Sequence, residues 1–332
     1  MRINRNMINE ELRRGYRMQK LLMKRACKAN LKLQYRMSKN KVLPVPEDLD
    51  CSNVFIERGD GTSMRIRVYK PLNMEKRGPA ILWIHGGGYA LGAPETGVVK
   101  CKRLIEESGA VIVSPDYRLS LEEPYPAALD DCYLALLWLA KNAEWLGGRS
   151  DQIMLAGESA GGGMAAALAL LARDKKDVNV AFHMPLYPMI DDRPTESSEK
   201  NNAPIWNAYN NRVAWKVYLG DLFKSGDIPY YAAPARAADY SNLPPALSFV
   251  GGIDPFRDEI VTYCDNLNKA GIPAQCRVYE GCYHGFDVLY PDAAISKRAL
   301  EEFYAAFKQA VRTYFKPQMA DCSDPSAQRT FP

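Results

Sequence analysis

From residue 79 to residue 314, short apolar segments alternate with longer ones in which apolar positions recur at helical spacing. The short segments read as strands at 79–84 ("PAILWI"), 110–114 ("AVIVS"), 152–157, 178–186 ("VNVAFHMPL"), 246–251 ("ALSFVG") and 274–280. The longer ones predict helices near 96–108, 126–142, 159–173, 257–270 and 294–314. Two more strands, 52–57 ("SNVFIE") and 64–70 ("MRIRVYK"), come first, giving eight in all. Apolar strands joined by helices of ten or more residues imply right-handed crossovers. The expected class is therefore α/β, a mostly parallel eight-stranded sheet with helices on both faces.

Residues 190–235 break the rhythm. A polar stretch, "DDRPTESSEKNNAP", leads into aromatics at helical spacing (Trp206, Tyr209, Trp215, Tyr218) and then into the Pro/Ala-rich "IPYYAAPARA". Two readings are open: the insertion folds over one edge of the sheet as a lid, or its aromatics fill a local core. With an N-terminal helical segment it would make a cap. The expected organisation is a cap segment at 1–45, a first part of the core at 46–189, the cap insertion at 190–235 and a second part of the core at 236–316. A loose polar tail follows at 317–332.

Charge changes the picture only at the N-terminus. Residues 1–41 hold thirteen Lys and Arg against Glu10 and Glu11, about +11, in a chain whose total is +4. The arm lacks an apolar run of signal-peptide length, and no stretch approaches the roughly 20 apolar residues of a membrane span. The eight cysteines (Cys27, Cys51, Cys101, Cys132, Cys264, Cys276, Cys282, Cys322) are scattered without CxxC spacing. That pattern suggests reduced thiols rather than a disulfide framework or a zinc site. The expectation is a soluble, unexported, cytoplasmic protein.

Candidate chemistry centres on Gly157-Glu158-Ser159-Ala160-Gly161, between the strand at 152–157 and an Ala/Leu-rich helix. Glycines on both sides of a serine suit a sharp, strained turn that exposes the hydroxyl, with the Ala160 N–H and the helix N-terminus beside any charge forming on a substrate. A small-residue turn that only packs a helix on a strand would look similar. A serine hydroxyl needs a base, usually histidine, and the chain has three. His183 lies inside an apolar strand and reads as a packed, hydrogen-bonded core residue. His85 opens "HGGGY" (85–89), where three glycines let backbone N–H groups approach a ligand. His284, in a loop after a late strand, is left as the base. Its orienting acid is expected at Asp254, which follows the strand at 246–251 and is kept extended by Pro255. Asp258 is a rival that suits the first turn of a helix, and Asp287 is a weaker candidate. The chain order Ser159, Asp254, His284 is the one expected of an α/β-hydrolase.

With these pieces in place the chain resembles the hormone-sensitive-lipase-like (family IV) carboxylesterases of the α/β-hydrolase superfamily. The resemblance spans roughly residues 78–315 and rests on "HGGGY", "SPDYRL" (114–119), "PYPAALDDC" (124–132), "GESAGG" (157–162), "LYPMID" (186–191), "DPFRDE" (254–259) and "HGF" (284–286). It implies the α/β-hydrolase fold with a helical cap, Ser159 as nucleophile, His284 as base and Asp254 as the orienting acid. It also implies an oxyanion hole of the Gly87, Gly88 and Ala160 N–H groups, supported by His85, Gly86 and Glu158. Two departures stand out. Glu158 replaces the family's commoner Asp, and Leu121 and Glu123 stand where Pro and His are frequent.

The expected activity is hydrolysis of short acyl esters, acetyl to hexanoyl, without cofactor or metal. The expected partner is a small-molecule ester. Other readings are an interfacial lipase whose basic arm lies on anionic lipid, and a catalytically silent small-ligand receptor on the same fold. Nucleic acid is not an expected partner, because no aromatic-basic platform accompanies the arm. The oligomeric state is open, a homodimer included.

Overall fold

The computed structural model describes residues 1–13, 15, 16, 33, 35, 46–74 and 76–319. Eight strands form one sheet: β1 (Leu49–Glu57), β2 (Ser63–Pro71), β3 (Pro79–Ile84), β4 (Val111–Pro115), β5 (Arg149–Glu158), β6 (Phe182–Leu186), β7 (Ala246–Gly251) and β8 (Ala274–Tyr279). Their order is β1-β2-β4-β3-β5-β6-β7-β8. The pairings β1–β2 and β2–β4 are antiparallel and the rest are parallel. Every residue of β3, β4, β6 and β7 is buried, as expected of strands covered on both faces.

The longer helices are α1 (Val98–Ser108), α2 (Ala127–Asn142), α3 (Ala160–Lys175), α4 (Ala208–Leu219), α5 (Arg257–Lys269) and α6 (Ala294–Thr313). The chain moves from β3 to β4 in one direction and then back past β3 to β5, so winding reverses at β3. Right-handed crossovers therefore put α1 on one face and α2 and α3 on the other. Accordingly α1 packs with α6, and α2 with α3. Helix α3 is buried continuously from Ala160 to Ala172, which is why its sequence is apolar on every side. Ligands of such sheets gather at the carboxyl ends of the strands flanking the reversal, here β3 and β5.

Most expected elements appear within two or three residues of their predicted bounds. The strand expected at 178–186 forms only over Phe182–Leu186, because the chain joins the sheet late; Ala181 N–H donates to Ile153 O at 2.8 Å just before it. Within the insertion, Trp215 and Tyr218 are buried, and Tyr218 stacks on Tyr89 of the glycine loop with centroids 3.8 Å apart. These two fill a local core, whereas Tyr209 is exposed.

The expected N-terminal cap helix falls largely outside the described residues, as does any membrane contact through the basic arm. Its first residues form two single turns, Arg5–Met7 and Glu10–Leu12, started by the side chains of Asn4 and Asn9. Ile3, Ile8 and Leu12 are buried. Ile3 N–H donates to Asn202 Oδ1 at 2.6 Å, Asn9 N–H donates to Gly281 O at 2.9 Å, and the Glu11 carboxylate accepts from Ala294 and Ile295 at the start of α6. This segment thus joins the insertion to the loop carrying His284.

The tail expected to be loose from residue 317 is held at its start. Gln318 bonds to Ser150 O and to both backbone groups of Asn179, and the rest lies outside the described residues. The six described cysteines are free thiols, and no described helix is long and apolar enough to cross a membrane.

An ion cluster around the buried Asp131 ties the antiparallel edge to α2. The Asp131 carboxylate accepts from Arg58 Nε at 2.7 Å and from Arg118 Nη2 at 2.9 Å. Burial alone would raise its pKa, but bonds from Arg58 and Arg118 outweigh that and hold the carboxyl below its ordinary value. Asp131→Ala is expected to cost on the order of 2 kcal/mol in urea denaturation at neutral pH, since both guanidinium groups are left without it. Because the folded-state pKa is depressed, the gap between variant and wild type should narrow as pH falls below about 3.8.

Candidate active site

The turn after β5 is built by close backbone approach. A Cβ on Gly157 would stand 2.4 Å from Gly161 O and 2.7 Å from Ile84 O. A Cβ on Gly161 would stand 2.0 Å from Ile84 O and 2.5 Å from His85 O. Only glycine lets the first turn of α3 lie against the end of β3. Ser159 between them has φ 56° and ψ −120°, a sparsely populated conformation for a residue with a side chain. The backbone around it is heavily tied. Ser159 N–H donates to Leu186 O at 2.9 Å, and Ser159 O accepts from Gly163 N–H at 2.9 Å and Met189 N–H at 3.1 Å.

The three sequence-predicted residues converge. Ser159 Oγ lies 2.8 Å from His284 Nε2, and His284 Nδ1 lies 2.8 Å from Asp254 Oδ2. Asp254 Oδ1 accepts from Phe256 N–H at 2.9 Å, so the carboxylate has one oxygen for the backbone and one for the imidazole. All three residues are buried. The His284 ring is packed edge-on by Tyr187 and Phe256, with centroids 5.3 Å and 5.0 Å away, and lies 6.1 Å from the Trp206 ring.

The glycine loop follows β3. Gly87, Gly88 and Tyr89 have φ of 126°, 61° and 61° in succession, and Ala90 and Leu91 N–H groups close onto Gly87 O. The N–H groups of Gly87, Gly88 and Ala160 donate to no described protein acceptor, which leaves them free to face a ligand. His85 is buried and stacked on Tyr117, with centroids 4.2 Å apart. Its Nδ1 lies 2.9 Å from Gly86 O, so it props the loop from within. His183 is the packed core residue expected, between Pro245 O at 3.1 Å and Tyr263 Oη at 2.9 Å.

The rival carboxylates are engaged elsewhere. Asp258 sits in the first turn of α5, bonded to Arg257 Nε and to Ser197 N–H. Asp287 lies 2.9 Å from Lys100 Nζ. The longer carboxylate of Glu158 bonds to Lys100 Nζ and to Tyr187 Oη, both at 3.0 Å. Lys100 and Tyr187 are site neighbours that sequence reasoning missed. A lysine inside α1 carries no motif, and Tyr187 was visible only as part of "LYPMID". Among the described residues no group of three or more His, Cys, Asp and Glu could hold a metal ion.

From the insertion, Trp206 reaches the same place. A Cβ on residue 88 would stand 2.7 Å from the edge of its indole ring, so the ring lies directly over the glycine loop. Trp206 N–H donates to Pro204 O at 2.8 Å, closing a three-residue turn at Ile205, whose φ is 68°. That value is a marked outlier for a β-branched side chain. Asn210 Nδ2, donating to Ile205 O at 3.2 Å, helps to hold it.

A sequence profile of the α/β-hydrolase fold matches residues 81–288. The chain belongs to the α/β-hydrolase family, in its hormone-sensitive-lipase-like branch. Carboxylesterase NlhH of Mycobacterium tuberculosis is 35% identical over 257 residues, covering 75% of this chain and 79% of that protein. Esterase LipI of the same organism is 32% identical over 247 residues, covering 73% and 77%. Among solved structures, a bacterial heroin esterase superposes with a TM-score of 0.83 at 32% identity, covering 93% of this chain and 99% of that one. An esterase from Pyrobaculum calidifontis gives 0.77 at 32% identity, covering 91% and 98%. This family member is an enzyme, a carboxylic ester hydrolase.

The core histidine gives a pH-dependent prediction. Burial pushes His183 down to about 4 from an ordinary 6.5, against the opposing pull of its backbone bonds. The unfolded chain therefore takes up a proton in a window where the folded protein does not. Stability should fall by up to about 3 kcal/mol as pH drops from 6.5 to 4. His85, also lowered by burial, acts with the same sign. Chemical denaturation across this window should show a flatter decline for His183→Asn than for wild type.

Proposed function

We propose that the chain is a serine carboxylesterase that hydrolyses short acyl esters, acetyl to hexanoyl, through an acyl-enzyme on Ser159. The observation that carries this reading is the unbroken run of hydrogen bonds from Ser159 Oγ through His284 to Asp254, at 2.8 Å and 2.8 Å. In it, Ser159 Oγ attacks the ester carbonyl while His284 Nε2 takes its proton. Asp254 fixes the imidazole with its proton on Nδ1 and stabilises the cation that forms. The carbonyl oxygen, gaining negative charge, is received by the N–H groups of Gly87, Gly88 and Ala160, with the N-terminus of α3 behind the last of them. His284 then protonates the departing alcohol, and a water molecule repeats the sequence on the acyl-enzyme. Each donor of such a hole is worth roughly 3–4 kcal/mol of barrier, and general acid–base transfer about two to four decades of rate.

The preference for short chains is supported by Trp206. Its ring stands over Gly88 and within 6.1 Å of the His284 ring, so it occupies space a long chain near the acyl carbon would need.

Two measurements test the reading. Ser159→Ala should lower p-nitrophenyl butyrate turnover by at least about four decades with the fold intact; substantial residual activity would overturn the assignment. Trp206→Ala should raise kcat/KM for the octanoate ester relative to the butyrate by about tenfold. An unchanged ratio would remove Trp206 from the pocket wall.

A further inference from the structure

Next to the His284 ring, which the Tyr187 ring meets edge-on at 5.3 Å, four polar side chains from four separate segments meet out of solvent. Lys100 comes from α1, Glu158 from the end of β5, Tyr187 from the chain just after β6, and Asp287 from the turn after His284. All are buried. The three N–H groups of Lys100 are fully used, on Asp287 Oδ2 at 2.9 Å, Glu158 Oε2 at 3.0 Å and Tyr187 Oη at 3.3 Å. Tyr187 Oη in turn lies 3.0 Å from Glu158 Oε2 and 3.3 Å from Asp287 Oδ2. Asp287 Oδ1 has no partner among the described residues. The Tyr187 backbone is in a left-handed conformation at φ 34°, so the cluster holds a residue that its own preference would not place there.

Burial of an ammonium and two carboxylates costs several kcal/mol per ion unless each is paired, and a fold that needed only packing there would do better with apolar groups. Burial alone would neutralise Lys100, yet Asp287 and Glu158 outweigh it and hold it charged, well above its ordinary range. Lys100 likewise overcomes burial at Glu158 and holds that carboxyl below its ordinary value, with a smaller pull from His284 itself. The cluster joins the two chain segments whose relative position matters most. Glu158 immediately precedes Ser159, and Asp287 lies three residues after His284.

We propose that Lys100 is a positioning residue for the esterase reaction. It clamps the serine turn to the histidine loop through Glu158 and Asp287, and leaves one unit of negative charge behind His284 to favour the imidazolium formed during acyl transfer. This inference rests on the Ser159–His284–Asp254 reading. It also gives a use to the extra methylene of Glu158, which lets the carboxylate reach Lys100 while its backbone stays in β5. The other groups facing His284 are Ser159, Asp254, Phe256, Trp206 and the Tyr187 ring. Burial pushes the Glu259 carboxyl, near Asp254, above its ordinary range, against the N–H bonds it accepts from Ile190 and Asp191.

The test is the pH profile of kcat/KM for p-nitrophenyl butyrate, measured on wild type, Glu158→Gln, Asp287→Asn, Lys100→Met and Ser159→Ala. Removing either carboxylate leaves Lys100 with one neutralising partner and takes negative charge from behind the base. The acidic limb should then move to lower pH by about half a unit. Removing the ammonium leaves two buried carboxylates on one site, which then share a proton, so Lys100→Met should lower kcat rather than KM with its acidic limb little moved. A merely structural role would lower activity in the carboxyl variants without moving their limbs. Acidic limbs of Glu158→Gln and Asp287→Asn that stay in place or move to higher pH, or an unchanged kcat in Lys100→Met, would overturn the proposal. If Lys100→Met does not fold, the two carboxyl variants, each keeping one ion pair with Lys100, still decide it by moving down or not. Turnover surviving in Ser159→Ala would defeat the esterase mechanism itself, which separates that failure from failure of the clamp.

Discussion

The backbone of α3 begins so close to the end of β3 that no side chain fits between them, and the rest of the site depends on that contact. With Gly161 against the carbonyls of Ile84 and His85, the chain leaving β5 has one way to turn. Ser159 is forced into its strained conformation at the top of the sheet, and Ala160 N–H is left facing the same space. The glycine loop leaves β3 at that point, so its free N–H groups arrive on the same side without any further adjustment. One steric constraint thus places a hydroxyl and its neighbouring donors together. The reversal of winding at β3 opens the crevice in which they meet.

Charge is organised around this apolar frame by separate clusters, each built on a buried carboxylate. Asp131 with Arg58 and Arg118 stitches the antiparallel edge to α2, where it serves the fold. Lys100 with Glu158 and Asp287 joins the residue before Ser159 to the turn after His284. Both clusters join segments far apart in the chain, and each pairs a buried carboxylate that would be costly to leave alone.

The chain states some of this openly and some not at all. Strands such as "PAILWI" and the Ala/Leu helix after Ser159 are legible because burial on all sides demands an apolar run. Gly157 and Gly161 are legible because only a close approach explains them. Asp254 was separable from Asp258 because Pro255 bars the first of the two from the helix, and the second is found in that helix's first turn. Lys100 was opaque, since a lysine in an amphipathic helix ordinarily faces water, and its burial follows from partners 58 and 187 residues away. The aromatics of the insertion were only half legible. Helical spacing describes Trp215 and Tyr218, which fill the core beneath α4, but Trp206 precedes that helix and owes its place to a tight turn that periodicity does not register.

That turn decides what stands over the glycine loop. A β-branched residue at φ 68° has few neighbouring conformations to visit, and the bonds from Trp206 N–H and Asn210 to either side of Ile205 leave it fewer. The indole is thereby fixed over the glycine loop by the backbone on either side of it. In the proposed reading it is a wall built into the fold itself, and the strain at Ile205 is the conformational cost of that wall.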